Sequence, residues 1–151
     1  MTRHLKRVLF VCIGNSCRSQ MAEAFARAYG GDVLIAASAG LYPATRVAPD
    51  TILAMHEKNL DLRDHFPKSI RQLGPRAVFD LVVNMSGYPL PDEMETPERL
   101  WDVPDPVSLS YDDHCAVRDE IERRVMQLVL DLRREQGPPQ LHGQGPSRVA
   151  P

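Results

Sequence analysis

Polar and apolar positions along the chain alternate between two periods. The run Arg7-Val8-Leu9-Phe10-Val11 is continuous and rich in apolar, β-branched side chains, which predicts a strand buried on both faces. A small polar turn containing Gly14 follows at once. Residues 19–29 place apolar side chains at helical spacing, and Gly30-Gly31 supplies the stop; Ser19 or a close neighbour is the expected N-cap. The alternation then repeats. A second strand is predicted over 32–38, a helix over 49–58 with Ile52, Leu53 and His56 at helical spacing, and a short helix over 67–73. A third strand is predicted over 79–85 and a short fourth over 100–103. The clearest helix runs from Ser110 or Tyr111 to about Glu135, with Val117, Ile121, Val125, Leu128 and Leu132 on one stripe. Asp112 and Asp113 favour its start, and Arg133 and Arg134 its end.

Strands alternating with helices imply an α/β fold: a three-layer sandwich with a central four-stranded parallel sheet flanked by helices on both faces. The 151 residues, 43% of them hydrophobic, fit one domain with one core. That domain is expected over 1–135. Residues 136–151 are rich in Gly and Pro without apolar periodicity and are expected to be a flexible tail. In parallel sheets ligands bind beyond the carboxyl ends of strands, and Cys12 stands at such an end.

The stretch Cys12-Ile13-Gly14-Asn15-Ser16-Cys17-Arg18-Ser19 carries the candidate chemistry. A cysteine and an arginine five residues apart can close a cradle around one tetrahedral anion. Backbone N–H groups of Ile13, Gly14, Asn15, Ser16 and Cys17 point inward, and the following helix adds its positive end. Arg18 offers two parallel N–H donors. The same surroundings favour a thiolate, so Cys12 is expected to be ionised at neutral pH, with a hydroxyl of Ser19 or Ser16 as a further donor to it. The plainer alternative is a buried strand-end cysteine beside a surface arginine. The order strand, glycine turn, arginine, helix favours the functional reading, and no Gly-Lys-Ser/Thr follows to suggest a nucleotide loop. A thiolate that accepts a phosphoryl group also needs an acid for the leaving group. Asp105, between Pro104 and Pro106, is held in a stiff loop that fits this role, or it is an ordinary Asp-Pro turn.

A formal net charge of −2 argues against a nucleic-acid binder. No apolar stretch reaches the length of a membrane span. The basic start followed by the short apolar run 8–13 reads as a first strand rather than a signal peptide. Three cysteines without regular spacing point to reduced thiols and a cytoplasmic protein. The five histidines show no metal spacing, so neither metal nor cofactor is expected. Cys115 reads as a packing residue, and Trp101 as core or rim packing beside the Asp105 loop.

The loop 12–19 resembles the signature of the low-molecular-weight protein tyrosine phosphatases and the related thioredoxin-coupled arsenate reductases. Ser38-Ala39-Gly40 and Asp105-Pro106 also match that superfamily, and the resemblance extends over about 7–134. It implies that Cys12 is the nucleophile, that Arg18 and the loop bind the oxyanion, and that Ser19 and Asp105 assist catalysis. It further implies that Asn15 and Ser38 brace the loop by a hydrogen bond, and that Cys17 is a redox partner of Cys12. Gln20-Met21-Ala22-Glu23, Asp80-Leu81-Val82-Val83 and Val117-Arg118-Asp119-Glu120-Ile121 resemble the reductase branch. Those reductases carry two further cysteines soon after the third strand, whereas residues 84–95 here hold Ser86 and no cysteine. Phosphatases selective for phosphotyrosine have aromatic residues directly after Asp-Pro, where this chain has Val107-Ser108; Tyr42 is the candidate substitute.

The expected function is therefore a cysteine-dependent phosphatase acting on phosphomonoesters, phosphotyrosine among them, through a phosphocysteine. The rivals are an arsenate reductase that uses Cys12 with an external thiol, and a non-catalytic phosphate-binding module. The partner is a phosphorylated protein, a small phosphoester or arsenate, with no nucleic acid or membrane, and the chain is expected as a monomer or weak dimer.

Overall fold

A computed structural model describes residues 4–74 and 77–137; from residue 138 onward the expected tail lies outside them. Four strands, β1 (Lys6–Cys12), β2 (Leu34–Gly40), β3 (Leu81–Asn84) and β4 (Glu98–Leu100), form one parallel sheet in the order β2-β1-β3-β4. Three helices, α1 (Arg18–Tyr29), α2 (Pro49–His56) and α3 (Tyr111–Gln136), connect or follow them. This is the α/β sandwich that the alternation implied.

β1 is central, so its side chains are buried in alternation on two faces. Val8 and Phe10 lie under Met21, Ala22 and Phe25 of α1, Met55 of α2 and the expected stripe of α3, all in one core. Leu9 and Val11 face the other way with Ala39 and Val82. There they are covered by Ile70 and Leu73, at a single 3-10 turn (Arg71–Leu73), and by Phe79, Leu90 and Met94. No helix among the described residues is long and apolar enough to cross a membrane.

Several boundaries differ from the sequence expectation, each for a local reason. β2 begins at Leu34 rather than 32, because Asp32 is held by Arg133 of α3 through bonds of 2.8 and 2.9 Å. α2 stops at His56, and Asn59 reverses the chain in a left-handed conformation (φ 61°). Its buried face is Thr51, Ala54 and Met55, while Leu53 and His56 are exposed. The short helix expected over 67–73 is only the 3-10 turn at Arg71–Leu73. β3 is shorter than 79–85, although Asp80 and Met85 still donate to β1 carbonyls. β4 lies at 98–100 rather than 100–103: the Trp101 N–H makes its bond to Asn84, and then the Val103 carbonyl turns to Arg18. α1 starts at Arg18 with Cys17 as N-cap and no side-chain cap; Ser19 is committed elsewhere.

Candidate active site

β1 delivers Cys12 at its carboxyl end and α1 takes up the chain at Arg18, so five residues turn between them. The carbonyls of residues 12–16 are all occupied. Those of Cys12, Ile13, Gly14 and Ser16 accept from the N–H groups of Leu41, Tyr42, Ala44 and Ala48 at 2.8–3.1 Å. That of Asn15 accepts from Gln20 Nε2 at 3.2 Å. A trans peptide points its C=O and N–H in opposite directions, and no described peptide bond is cis. Anchoring those carbonyls therefore turns the N–H groups of residues 13–17 away from their partners, and that of Asn15 donates to Cys12 Sγ (3.3 Å). The close approach depends on Gly40 at the end of β2. A Cβ there would lie 2.7 Å from the Ile13 carbonyl and 2.9 Å from the Asn15 nitrogen.

Asn15 is the hub of the loop. Its φ of 51° is left-handed, a conformation that asparagine tolerates better than most residues. Oδ1 faces the Lys68 backbone N–H (3.0 Å), a group that can only donate, which fixes the orientation of the amide. Nδ2 then donates to Ser19 Oγ (2.7 Å) and Ser38 Oγ (3.0 Å). The Ser38 hydroxyl donates to Glu23 Oε1 (2.5 Å), and Glu23 is paired with Arg27 at 2.7 Å. Ser19 accepts from Asn15, so its single hydrogen is left for Cys12 Sγ, 2.9 Å away. Ser19 and the Asn15 N–H therefore both aim at the sulfur. Ser16 is directed at Cys17 Sγ (3.6 Å) instead. Gln20 completes the brace by binding Asn15, the Phe66 carbonyl (3.1 Å) and His65 Nδ1 (3.0 Å).

Arg18 is buried. Its Nη1 donates to the Met85 and Val103 carbonyls, the second at 3.0 Å, and Nη2 lies 3.5 Å from Asp105 Oδ2. Its Nε is the one buried side-chain polar atom without a partner among the described residues. An unpaired buried N–H of a cation is costly, and a tetrahedral oxyanion in the loop would satisfy it. The Asp105 carboxylate is partly exposed and also accepts from the Val107 N–H (3.1 Å), capping a one-turn helix at Pro106–Ser108.

Cys17 is buried beside Thr51 and Ser16. Burial pushes its thiol above the usual range, an effect those two hydroxyls partly offset. Cys115 is half-buried next to Tyr111. Trp101 packs on Phe10 with ring centroids 6.0 Å apart, lies under Arg124, and lines a hollow with Arg18, Tyr88 and Asp102. Tyr42 is exposed. Just after β3, Ser86 donates to Asn84 Oδ1 (2.6 Å) and accepts from the Tyr88 N–H (3.0 Å). The sequence alone assigned no role to Thr51, His65 or His114, and Gln20 and Glu23 entered only through the motif that resembles the reductase branch. Ser19, Glu23 and Arg27 stand four apart on one helix face, and His114 heads the α3 stripe three residues before Val117. Those spacings were the available signals.

A parallel sheet that presents a cysteine inside a ring of turned-in amides, with a buried arginine at the head of the next helix, defines a class of α/β protein suited to holding one tetrahedral oxyanion. The sequence profile described as low molecular weight phosphotyrosine protein phosphatase matches residues 7–137, and the chain belongs to that family. It is 35% identical over 132 residues to a glutaredoxin arsenate reductase from Synechocystis sp., covering 85% of this chain and 99% of that one. A solved arsenate reductase in a phosphate-binding state superposes with a TM-score of 0.75 at 34% identity, covering 85% of this chain and all of the other. An arginine phosphatase from Geobacillus stearothermophilus shares the fold (TM-score 0.77, 91% of this chain and 99% of that one) at 24% identity.

Proposed function

We propose that the chain is a cysteine-dependent phosphatase of phosphomonoesters, with the anion cradle around Cys12 and the unpartnered Nε of Arg18 as the observation that carries this reading. The Cys12 thiolate attacks phosphorus in line. A sulfur–phosphorus bond forms, the bond to the leaving oxygen breaks, and the equatorial oxygens are held by the loop amides and Arg18. Asp105 gives its proton to the departing oxygen and then takes one from the water that hydrolyses the phosphocysteine. The Ser19 hydrogen stabilises the thiolate that is released. Asp105 Oδ2 lies 3.5 Å from Arg18 Nη2, which places the carboxyl beside an anion held by Arg18 and supports its role toward the leaving oxygen.

The names of the similar proteins favour a second reading, arsenate reduction. Cys12 would displace water from arsenate to form a thiol–arsenate adduct. A second thiol would then attack the Cys12 sulfur, giving a disulfide and releasing arsenite, so that two thiols are oxidised as arsenic gains two electrons. Ser86 stands after β3 where the reductases carry further cysteines, so the second thiol on this route is a small thiol from solution or, as the less favoured source, Cys17. Steady-state hydrolysis of p-nitrophenyl phosphate, run beside arsenite release from arsenate with and without glutathione, separates the two. Turnover at or above about 1 s⁻¹, abolished in Cys12→Ser, is the expected result. Thiol-dependent arsenite release with no measurable phosphate release would replace the first reading with the second.

A further inference from the structure

Four of the five loop carbonyls, those of Cys12, Ile13, Gly14 and Ser16, are held by backbone N–H groups of residues 41–48. The fifth, on Asn15, is held by a side chain instead: Gln20 Nε2 donates to it at 3.2 Å. The peptide that joins Asn15 to Ser16 is a rigid plane, so whatever fixes the Asn15 carbonyl also fixes the direction of the Ser16 N–H. The Asn15 backbone adds little restraint of its own, because its φ of 51° lies in a sparsely populated region.

Gln20 is fully buried, and its partners settle how its amide is turned. The Asn15 and Phe66 carbonyls, at 3.2 and 3.1 Å, can only accept, so the amide nitrogen faces them. The amide oxygen is thereby turned to His65 Nδ1, 3.0 Å away, and the imidazole must carry a hydrogen on that nitrogen. Among the described residues, His65 is the one partner of this oxygen. The ring stands on a held segment. The His65 N–H donates to the carbonyl of buried Leu62 (3.0 Å), and the Lys68 carbonyl accepts from the Gly40 N–H (2.8 Å). The imidazole itself is half-buried and takes no part in the reaction described above.

We propose that His65 and Gln20 are positioning residues that form a latch on the cradle. The imidazole sets the Gln20 amide, and the amide sets the Asn15 carbonyl and with it the Ser16 N–H. The latch rests on the anion-cradle part of the phosphatase reading and serves whichever oxyanion the loop takes. Without His65, the Gln20 oxygen is left buried with no donor. An amide that rotates to satisfy it withdraws its nitrogen from Asn15. The consequence is weaker anion binding in a protein that still folds.

The test titrates inorganic phosphate into the full chain by calorimetry, for the wild type, His65→Phe, His65→Asn, Gln20→Met and the double variant His65→Phe/Gln20→Met. Loss of one aimed N–H to a charged ligand should raise the phosphate Kd about 10-fold in His65→Phe and in Gln20→Met. His65→Asn, whose amide nitrogen can stand where Nδ1 stands, should recover most of that loss. The double variant should bind no more weakly than Gln20→Met alone, because the ring acts through the amide. The Ser16 amide proton gives a second reading by NMR. It should shift downfield on phosphate binding in the wild type and much less in His65→Phe. Unchanged phosphate affinity in His65→Phe, no recovery in His65→Asn, or additive losses in the double variant would overturn the latch. Should Gln20→Met fail to fold, the two His65 variants decide. A wild type that binds phosphate without hydrolysing p-nitrophenyl phosphate would remove the phosphatase reading and leave these expectations in force. A wild type that binds no phosphate would overturn the cradle and the latch together.

Discussion

Asn15, Ser19 and Ser38 are each oriented by a group that can only donate or only accept. The Lys68 N–H orients Asn15, Glu23 orients Ser38, and Asn15 leaves Ser19 one hydrogen to give to Cys12. In such a chain, a deletion far from sulfur still reaches it. Ser38→Ala removes the acceptor for Asn15 Nδ2 and a donor to buried Glu23, leaving two buried groups short of a partner. The expected cost is about 1–3 kcal/mol of unfolding free energy, read as a lower urea midpoint, together with slower hydrolysis because Ser19 is no longer held. A variant with wild-type stability and turnover would mean that the network is redundant.

At the scale of elements, the cradle is made where three pieces of chain meet: the end of β1, the start of α1 and the segment after β2 that binds the loop carbonyls. Gly40 sets how closely β2 approaches. In Gly40→Ala the new methyl meets backbone rather than a flexible side chain, so the loop itself must shift. Overpacking of this kind costs about 1–3 kcal/mol. With the loop amides as the proposed anion site, inorganic phosphate should also inhibit more weakly, as measured by its Ki against p-nitrophenyl phosphate. Gly14→Ala is the control. A Cβ there meets nothing closer than 3.5 Å, so the change should be much milder.

The whole molecule adds a dependence on pH that no single element has. His114 is buried between α2 and α3, and burial lowers its pKa below the ordinary value. Asp50, Asp105 and the Pro106 carbonyl oppose that shift, and Arg118 reinforces it. The native fold therefore resists a proton that the unfolded chain accepts. The stabilisation is present above about pH 6.5, the unfolded value, and is lost as pH falls through the lower folded value. The urea midpoint should drop between about pH 7 and pH 5, and the drop should be smaller in His114→Phe. An equal drop in the two proteins would assign the effect to other groups.

By itself the sequence determined the parts whose signals are local. Buried β1, the helix of Val117 to Leu132, the α/β order and the spacing of Cys12 and Arg18 are all periodicities or short motifs, readable because burial imposes them on neighbouring residues. Element ends were less legible. Asp32, Val103 and Ser19 are assigned by partners distant in sequence or on another element, namely Arg133, Arg18 and Cys12. Only the tertiary structure decided which face of α2 is buried, that Ser19 rather than Ser16 reaches the thiol, and that Gln20, Glu23 and His65 belong to the site's surroundings. The reason is physical: a hydrogen bond across 15, 45 or 46 residues depends on how the helices pack on the sheet, and leaves no periodic trace in the chain.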